Sequence, residues 1–157
     1  MKSRLLTVFA VFFLILFAAS SWSADLWSNV LPKFVIGPDT SVSNNDNTTG
    51  TVIDRLGYGS VTYVIQTGTL ADNDVTLTPY IYECGAADCS DGVTATAFIG
   101  TIAGATFAAT DDNTIKSIAY NGVKRYTQLI ITPAANTGAA RFNAFCILGH
   151  KQYGPAQ

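Results

Sequence analysis

The chain has 157 residues, 11 acidic against 9 basic, one histidine, and only 13% charged residues. Its net charge of −2 and its single adjacent basic pair, Lys124-Arg125, exclude a nucleic-acid grip, which needs clustered cations to neutralise phosphates. One histidine also leaves little for a zinc centre, which needs four ligands, and no metal or other cofactor is expected.

The first 23 residues read as a secretory signal peptide. Lys2 and Arg4 give a positive head, Leu5 to Ala19 is an almost unbroken apolar run, and Ser20, Ser21 and Ser23 follow it. That run spans 15 residues, short of the ~20 that a membrane-spanning helix needs. Cleavage is expected after Ser21 or Ser23, with a retained membrane anchor as the alternative. Removing 23 of the 157 residues leaves 134, the size of one domain. Seven basic and eleven acidic residues then remain, a net charge of −4.

Residues 24–50 read as an N-terminal arm or linker. Pro32 and Pro38 interrupt it, and Ser41 to Gly50, SVSNNDNTTG, offers only Val42 for burial. Trp27 and Phe34 are its aromatic anchors and its candidate partner-binding residues. The stretch from Leu26 to Ile36 suits either one added strand or docking on a partner.

From 51 to 157 the pattern is that of one all-β domain. Val61, Tyr63 and Ile65 alternate with Thr62, Val64 and Gln66. Val75, Leu77 and Ile81 share a face opposite Thr76, Thr78, Tyr80 and Tyr82. Pro79 has no N–H for a ladder, which puts this strand at an edge or a bulge. Ala95–Ile99 and Ala105–Ala108 are shorter candidates. Ile115–Tyr120 and Arg125–Thr132 flank Asn121-Gly122, a hairpin-turn dipeptide. Ala140, Phe142, Ala144, Cys146 and Leu148 line one face of the last strand, with Arg141 and Asn143 on the other. After Met1 there is no methionine, and Glu83 is the only glutamate, so the usual helix vocabulary is missing. Short strands with turns every ten or so residues predict an antiparallel β-sandwich of jelly-roll or Greek-key type.

Chemistry has few places to hide in this chain. Cys84 and Cys89 flank the loop ECGAADCSDG, and export would place them where disulfides persist; a Cys84–Cys89 bridge is expected. Cys146 reads as a small buried hydrophobe. His150 follows the last strand as a polar cap, and no G-x-S-x-G elbow supplies a nucleophile for it. Asp72-Asn73-Asp74, Asp88 to Asp91 and Asp111-Asp112-Asn113 suit sheet turns better than calcium, because none completes D-x-[DN]-x-[DN]-G. No catalytic residue is assigned, and the chain is not expected to be an enzyme.

Five blocks carry a family resemblance: VIDRLGYGSVTYVI at 52–65, TGTLADND at 67–74, IKSIAYNGVKRYTQLIITP at 115–133, NTGAA at 136–140 and ILGHKQYGPA at 147–156. In kind and order they resemble a family of small tailed-phage proteins encoded in head-assembly gene clusters, usually near the major capsid protein. Two features depart from that family. Lys151 stands where the closing motif has a proline after His150, and family members start without a leader. The resemblance implies a structural part of the head, as a decoration or minor component. Its partners would be the major capsid protein, other virion proteins or further copies of itself, with no catalytic residues to carry over. The leader adds membrane or periplasmic passage to a virion location, with membrane contact confined to residues 1–23. The alternative is a secreted or cell-surface binding module of prophage origin, motivated by Tyr58, Tyr80 and Tyr82 as glycan contacts.

Overall fold

The computed structural model describes residues 30–152; the expected leader at 1–23 and Trp27 lie outside the described residues. Eleven strands follow in order: β1 (Leu31–Val42), β2 (Thr48–Thr49), β3 (Ile53–Asp54), β4 (Tyr58–Leu70), β5 (Thr76–Cys84), β6 (Val93–Thr94), β7 (Phe98–Ile99), β8 (Phe107–Ala108), β9 (Ile115–Tyr120), β10 (Tyr126–Ala134) and β11 (Ala140–Lys151). A single helical turn, α1 (Ile102–Ala105), precedes β8, with the Thr101 hydroxyl capping it by accepting from Gly104 N.

The strands form two antiparallel sheets. Sheet A runs β1-β11-β4-β9-β7, and sheet B runs β2-β10-β5-β6, with β3 also on β10 and β8 also on β5. The chain switches sheet at nearly every connection, so sequence neighbours face each other across the core while β1 and β11 lie side by side. That is the double Greek key of a jelly roll.

The alternation explains the pairing. Val61, Tyr63 and Ile65 of β4 and Phe142, Ala144, Cys146 and Leu148 of β11 are all buried from sheet A. Leu77 and Ile81 of β5 meet them from sheet B with Leu129 and Ile131 of β10, and Phe107 fills the end near α1. Each such large side chain contributes about 1.5–3 kcal/mol on burial, and a one-residue slip would turn a whole row out to water. Pro79 sits in register opposite Ile131. On the other edge of β5, β8 pairs only at Thr76–Leu77 and β6 only at Tyr82–Glu83. The missing proline N–H thus falls in the gap between them.

Two expectations are corrected. Residues 24–50 do not form a separate arm where they are described: β1 pairs with β11 from Leu31↔Leu148 to Val42↔Ala140, and β2 joins β10. The sandwich therefore begins at β1, not at residue 51. The two prolines that suggested an arm are accommodated because β1 is an edge strand with irregular register between Phe34 and Ile36 and between Ile36 and Thr40. Asn121-Gly122 is not a hairpin turn either. β9 lies in sheet A and β10 in sheet B, so this segment crosses between sheets. Gly122 is needed for close approach, since a Cβ there would run into the ring of Tyr120.

Candidate protein-binding face

The outer face of sheet A follows from strand register, because residues directly opposite on neighbouring strands share a face. One row crosses the sheet as Phe34, Phe145, Val64 and Ser117. The next runs Pro32, Ile147, Thr62, Ala119 and Ile99, and a third holds Asn143, Gln66 and Ile115. At the usual strand spacing the five-strand row spans about 19 Å. Phe34, Ile99 and Ile115 are exposed, and Phe145, Ile147 and Val64 are half-buried. None of these three rows carries a charge; Arg141 and Lys151 lie beyond them toward opposite ends of β11. An apolar centre without charge is the composition of a protein-interface core.

Phe34 is the most prominent member. It is 78% exposed although it lies on a strand, because β1 is the last strand of its sheet. Together with Pro32, Lys33 and Phe145 it lines a shallow apolar cleft of about 260 Å³. Of the two partner-binding residues expected from sequence, Phe34 is therefore at the surface, and Trp27 lies outside the described residues. Phe145 and Ile147 were not singled out beforehand. The sign of them was available: the last strand has apolar residues on both faces from Phe145 onward.

At one end of the sandwich the blocks of the family resemblance meet. Asp54 accepts two hydrogen bonds from Arg125, from Nε at 2.9 Å and Nη2 at 2.7 Å. The Arg125 guanidinium holds the Asp54 carboxyl below its ordinary range. Arg55 is 7% exposed; its Nη2 donates to Gly122 O at 3.0 Å, and its Nε and Nη1 find no partner. Tyr120 is fully buried, donates from Oη to Glu83 at 2.6 Å and accepts from Lys124 N at 3.1 Å. Burial and the Glu83 bond push its hydroxyl up. The cluster joins β3, β5 and the β9–β10 crossover; its chemistry is that of a structural lock.

The remaining sequence candidates fall into place as turn chemistry. Asp72 accepts from Thr137 N and Oγ1, both at 2.7 Å, and from Gly138 N at 3.1 Å. Its neighbour Asp74 and the Thr137 hydroxyl hold its carboxyl well below the usual range, while Asp74 is pushed up in turn. Asp91 accepts from Gly85 N and Ala86 N, and Asp111 pairs with Lys116 at 2.7 Å. Cys84 and Cys89 form a disulfide that closes the loop between them. Cys146 is free and buried, and burial pushes its thiol up to about 11. His150 is exposed, in the left-handed region at φ 53, with Nδ1 3.0 Å from Ser60 Oγ.

No known protein-family profile matches the chain. No curated protein sequence matches it either. Several solved structures are similar to it at low identity. The PBSX exported protein XepA superposes with a TM-score of 0.53 at 13% identity, over 81% of this chain and 39% of XepA. A protein of the T13 IBDV viral particle gives a TM-score of 0.46 at 15% identity, over 78% of this chain and 31% of that one. The CBM36-1 domain of a xylanase from the hindgut metagenome of Trinervitermes trinervoides gives 0.42 at 13% identity, over 78% of this chain and 98% of that domain. This chain thus spans about two fifths of the length of XepA, and what it shares with XepA is the β-sandwich fold.

Proposed function

We propose that this chain is a non-catalytic structural protein of a phage or prophage-derived particle, attached to a protein partner through the outer face of sheet A. The observation that carries the reading is the uncharged apolar face centred on Phe34, Phe145 and Ile147, exposed on an otherwise well-packed sandwich. Exposed apolar patches rimmed by polar residues mark interaction sites. Two further observations support it: the five sequence blocks resemble head-cluster proteins, and an exported protein, XepA, has the same fold. The partner is proposed to be the major capsid protein or another virion protein, and many copies on one particle would gain by avidity. Mass spectrometry of purified particles should find the protein, and added wild-type protein should co-sediment with particles stripped of it. Phe34→Asp and Ile147→Asp should remain folded and stay in the supernatant. Absence from particles, or unchanged co-sedimentation of both variants, overturns the reading.

A second reading rests on the other sheet. Tyr80 and Tyr82 of β5 lie half-exposed on the outer face of sheet B, opposite Ile130 and Gln128 of β10. Aromatic side chains on a flat sheet face suit the apolar faces of sugar rings, so a glycan-binding role is the alternative. Binding on a glycan array that Tyr82→Ala abolishes, with no particle association, would favour it.

A further inference from the structure

Four of the five strands of sheet A, β4, β7, β9 and β11, contain no acidic residue. The chain as a whole is acidic, with a net charge of −2, and sheet B carries Asp54 on β3 and Glu83 on β5. One step beyond Asn143 on the outer face of β11 stands Arg141. Its chain neighbours Ala140 and Phe142 are buried, so it points outward with Asn143, Phe145 and Ile147. Arg141 is exposed, and among the described residues it makes no hydrogen bond or ion pair, whereas Lys116 of β9 is paired with Asp111.

The surroundings of Arg141 are kept bare. Across the sheet it faces Ser41 on β1. On its other side β4 moves from Leu70 to Thr67 while β11 moves only from Ala140 to Phe142, so β4 holds the extra residue of a β-bulge. Gly68 lies in that bulge, where a Cβ would come within 3.3 Å of the Arg141 Cβ. Any side chain at Gly68 would crowd the stem of the guanidinium. A cation bounded by a hydroxyl and a glycine, with no carboxylate on β4 or β11, is left for a group outside the chain.

We propose that Arg141 is the charged anchor of the sheet A docking face and takes a carboxylate of the protein partner. The inference rests on the docking role proposed above and adds the partner's chemistry: an apolar surface over Phe34, Phe145 and Ile147, with an acidic side chain at one margin. Arg141 and Phe145 are four residues apart on one strand face, about 13 Å, which falls inside a standard patch of about 800 Å² per partner. Arginine is enriched at interface hot spots and forks onto a carboxylate with two parallel hydrogen bonds. Charge complementarity selects this occupant. A second copy docked by the same face would present its own Arg141 and the same acid-free strands, and would gain nothing from the charge.

Co-sedimentation of the full chain with particles stripped of the protein tests the inference. Arg141→Gln removes the charge, and Arg141→Glu reverses it at the same side-chain length. Both variants should keep the wild-type circular dichroism and thermal midpoint. Loss of one charge-assisted pair should weaken attachment of Arg141→Gln at least about tenfold at low salt, and Arg141→Glu should fall further. A role in packing alone would treat the two alike. Wild-type affinity should drop as salt is raised, and that of Arg141→Gln should drop less steeply. Amidating the carboxylates of the stripped particles should bring wild-type attachment down in the same way. Attachment of Arg141→Gln as tight as wild type, or amidation without effect, overturns the proposal. So does a dimer of the isolated wild type, seen by sedimentation velocity, that Arg141→Glu dissolves. In each of these cases failure of Phe34→Asp to attach keeps the docking face and removes only the Arg141 anchor. Wild-type protein that never co-sediments removes both.

Discussion

The Arg55 guanidinium lies over the ring of Tyr120, its Cζ 4.6 Å from the ring centre, and this contact pins the crossover between the sheets. Tyr120 ends β9 in sheet A, and Arg55 follows β3 on sheet B. The Arg55 bond to Gly122 O and the Tyr120 bond to Glu83 complete the lock. A buried cation–π contact of this kind is worth up to about 2 kcal/mol.

Gly122 is the tightest point of that lock. Its φ is not positive, so asparagine, which tolerates left-handed turns, should do no better than alanine. Gly122→Ala and Gly122→Asn should each cost about 1–3 kcal/mol, the usual cost of overpacking. Urea titration measures both. A variant with asparagine as stable as wild type would return Gly122 to the role of a turn residue.

Removal of residues 24–50 should abolish the fold and not merely an attachment. The cut takes away β1 and β2, and it uncovers the β11 edge that β1 pairs along eight residue positions. Val35 and Ile36 leave the core with it. Chains starting at Thr51 should be insoluble or lack a cooperative thermal transition, whereas chains starting at Val30 should melt cooperatively. Calorimetry of the two truncations separates these outcomes.

The Cys84–Cys89 bridge closes a short loop, with a sequence separation of 5. The chain-entropy relation gives about 2 kcal/mol for a loop this small, or a fall of about 6–10 °C in the melting midpoint on reduction. Alkylation without reductant should label nothing in the native protein and only Cys146 after unfolding. Ready native labelling of Cys84 and Cys89 would show that the bridge is absent.

Cys146 makes stability depend on alkaline pH. Its thiol is pushed up to about 11 from 9.0, so between those values the folded chain keeps a proton that the unfolded chain has lost. The stability due to this group is fully present below pH 9 and falls as pH rises toward 11, by about 2–3 kcal/mol in all. Cys146→Ala should cost about 1 kcal/mol at pH 7 as a small cavity and should lose this decline. Tyr63, also raised by burial, titrates higher still and is common to both proteins. Denaturant midpoints at pH 7, 9 and 11 for the two chains give the comparison.

Sequence alone determined the all-β class, the faces of β4, β5 and β11, the disulfide and the buried thiol. Each of these rests on local information: a period of two along a strand, or two cysteines five positions apart. Only the tertiary structure decided which strands pair. The Asn121-Gly122 signal was genuine as a bend, yet it could not say whether the chain returns to the same sheet or crosses to the other. Residues 31–42 looked like an arm because prolines and polar residues weaken a strand by itself. They become β1 because β11 offers a complete ladder partner and the core takes Val35 and Ile36. The apolar outer face was dispersed over β1, β11, β4, β9 and β7, far apart in sequence, and it exists only once register sets Phe34 beside Phe145. Long-range pairing is a property of two segments at once, and neither one carries it alone.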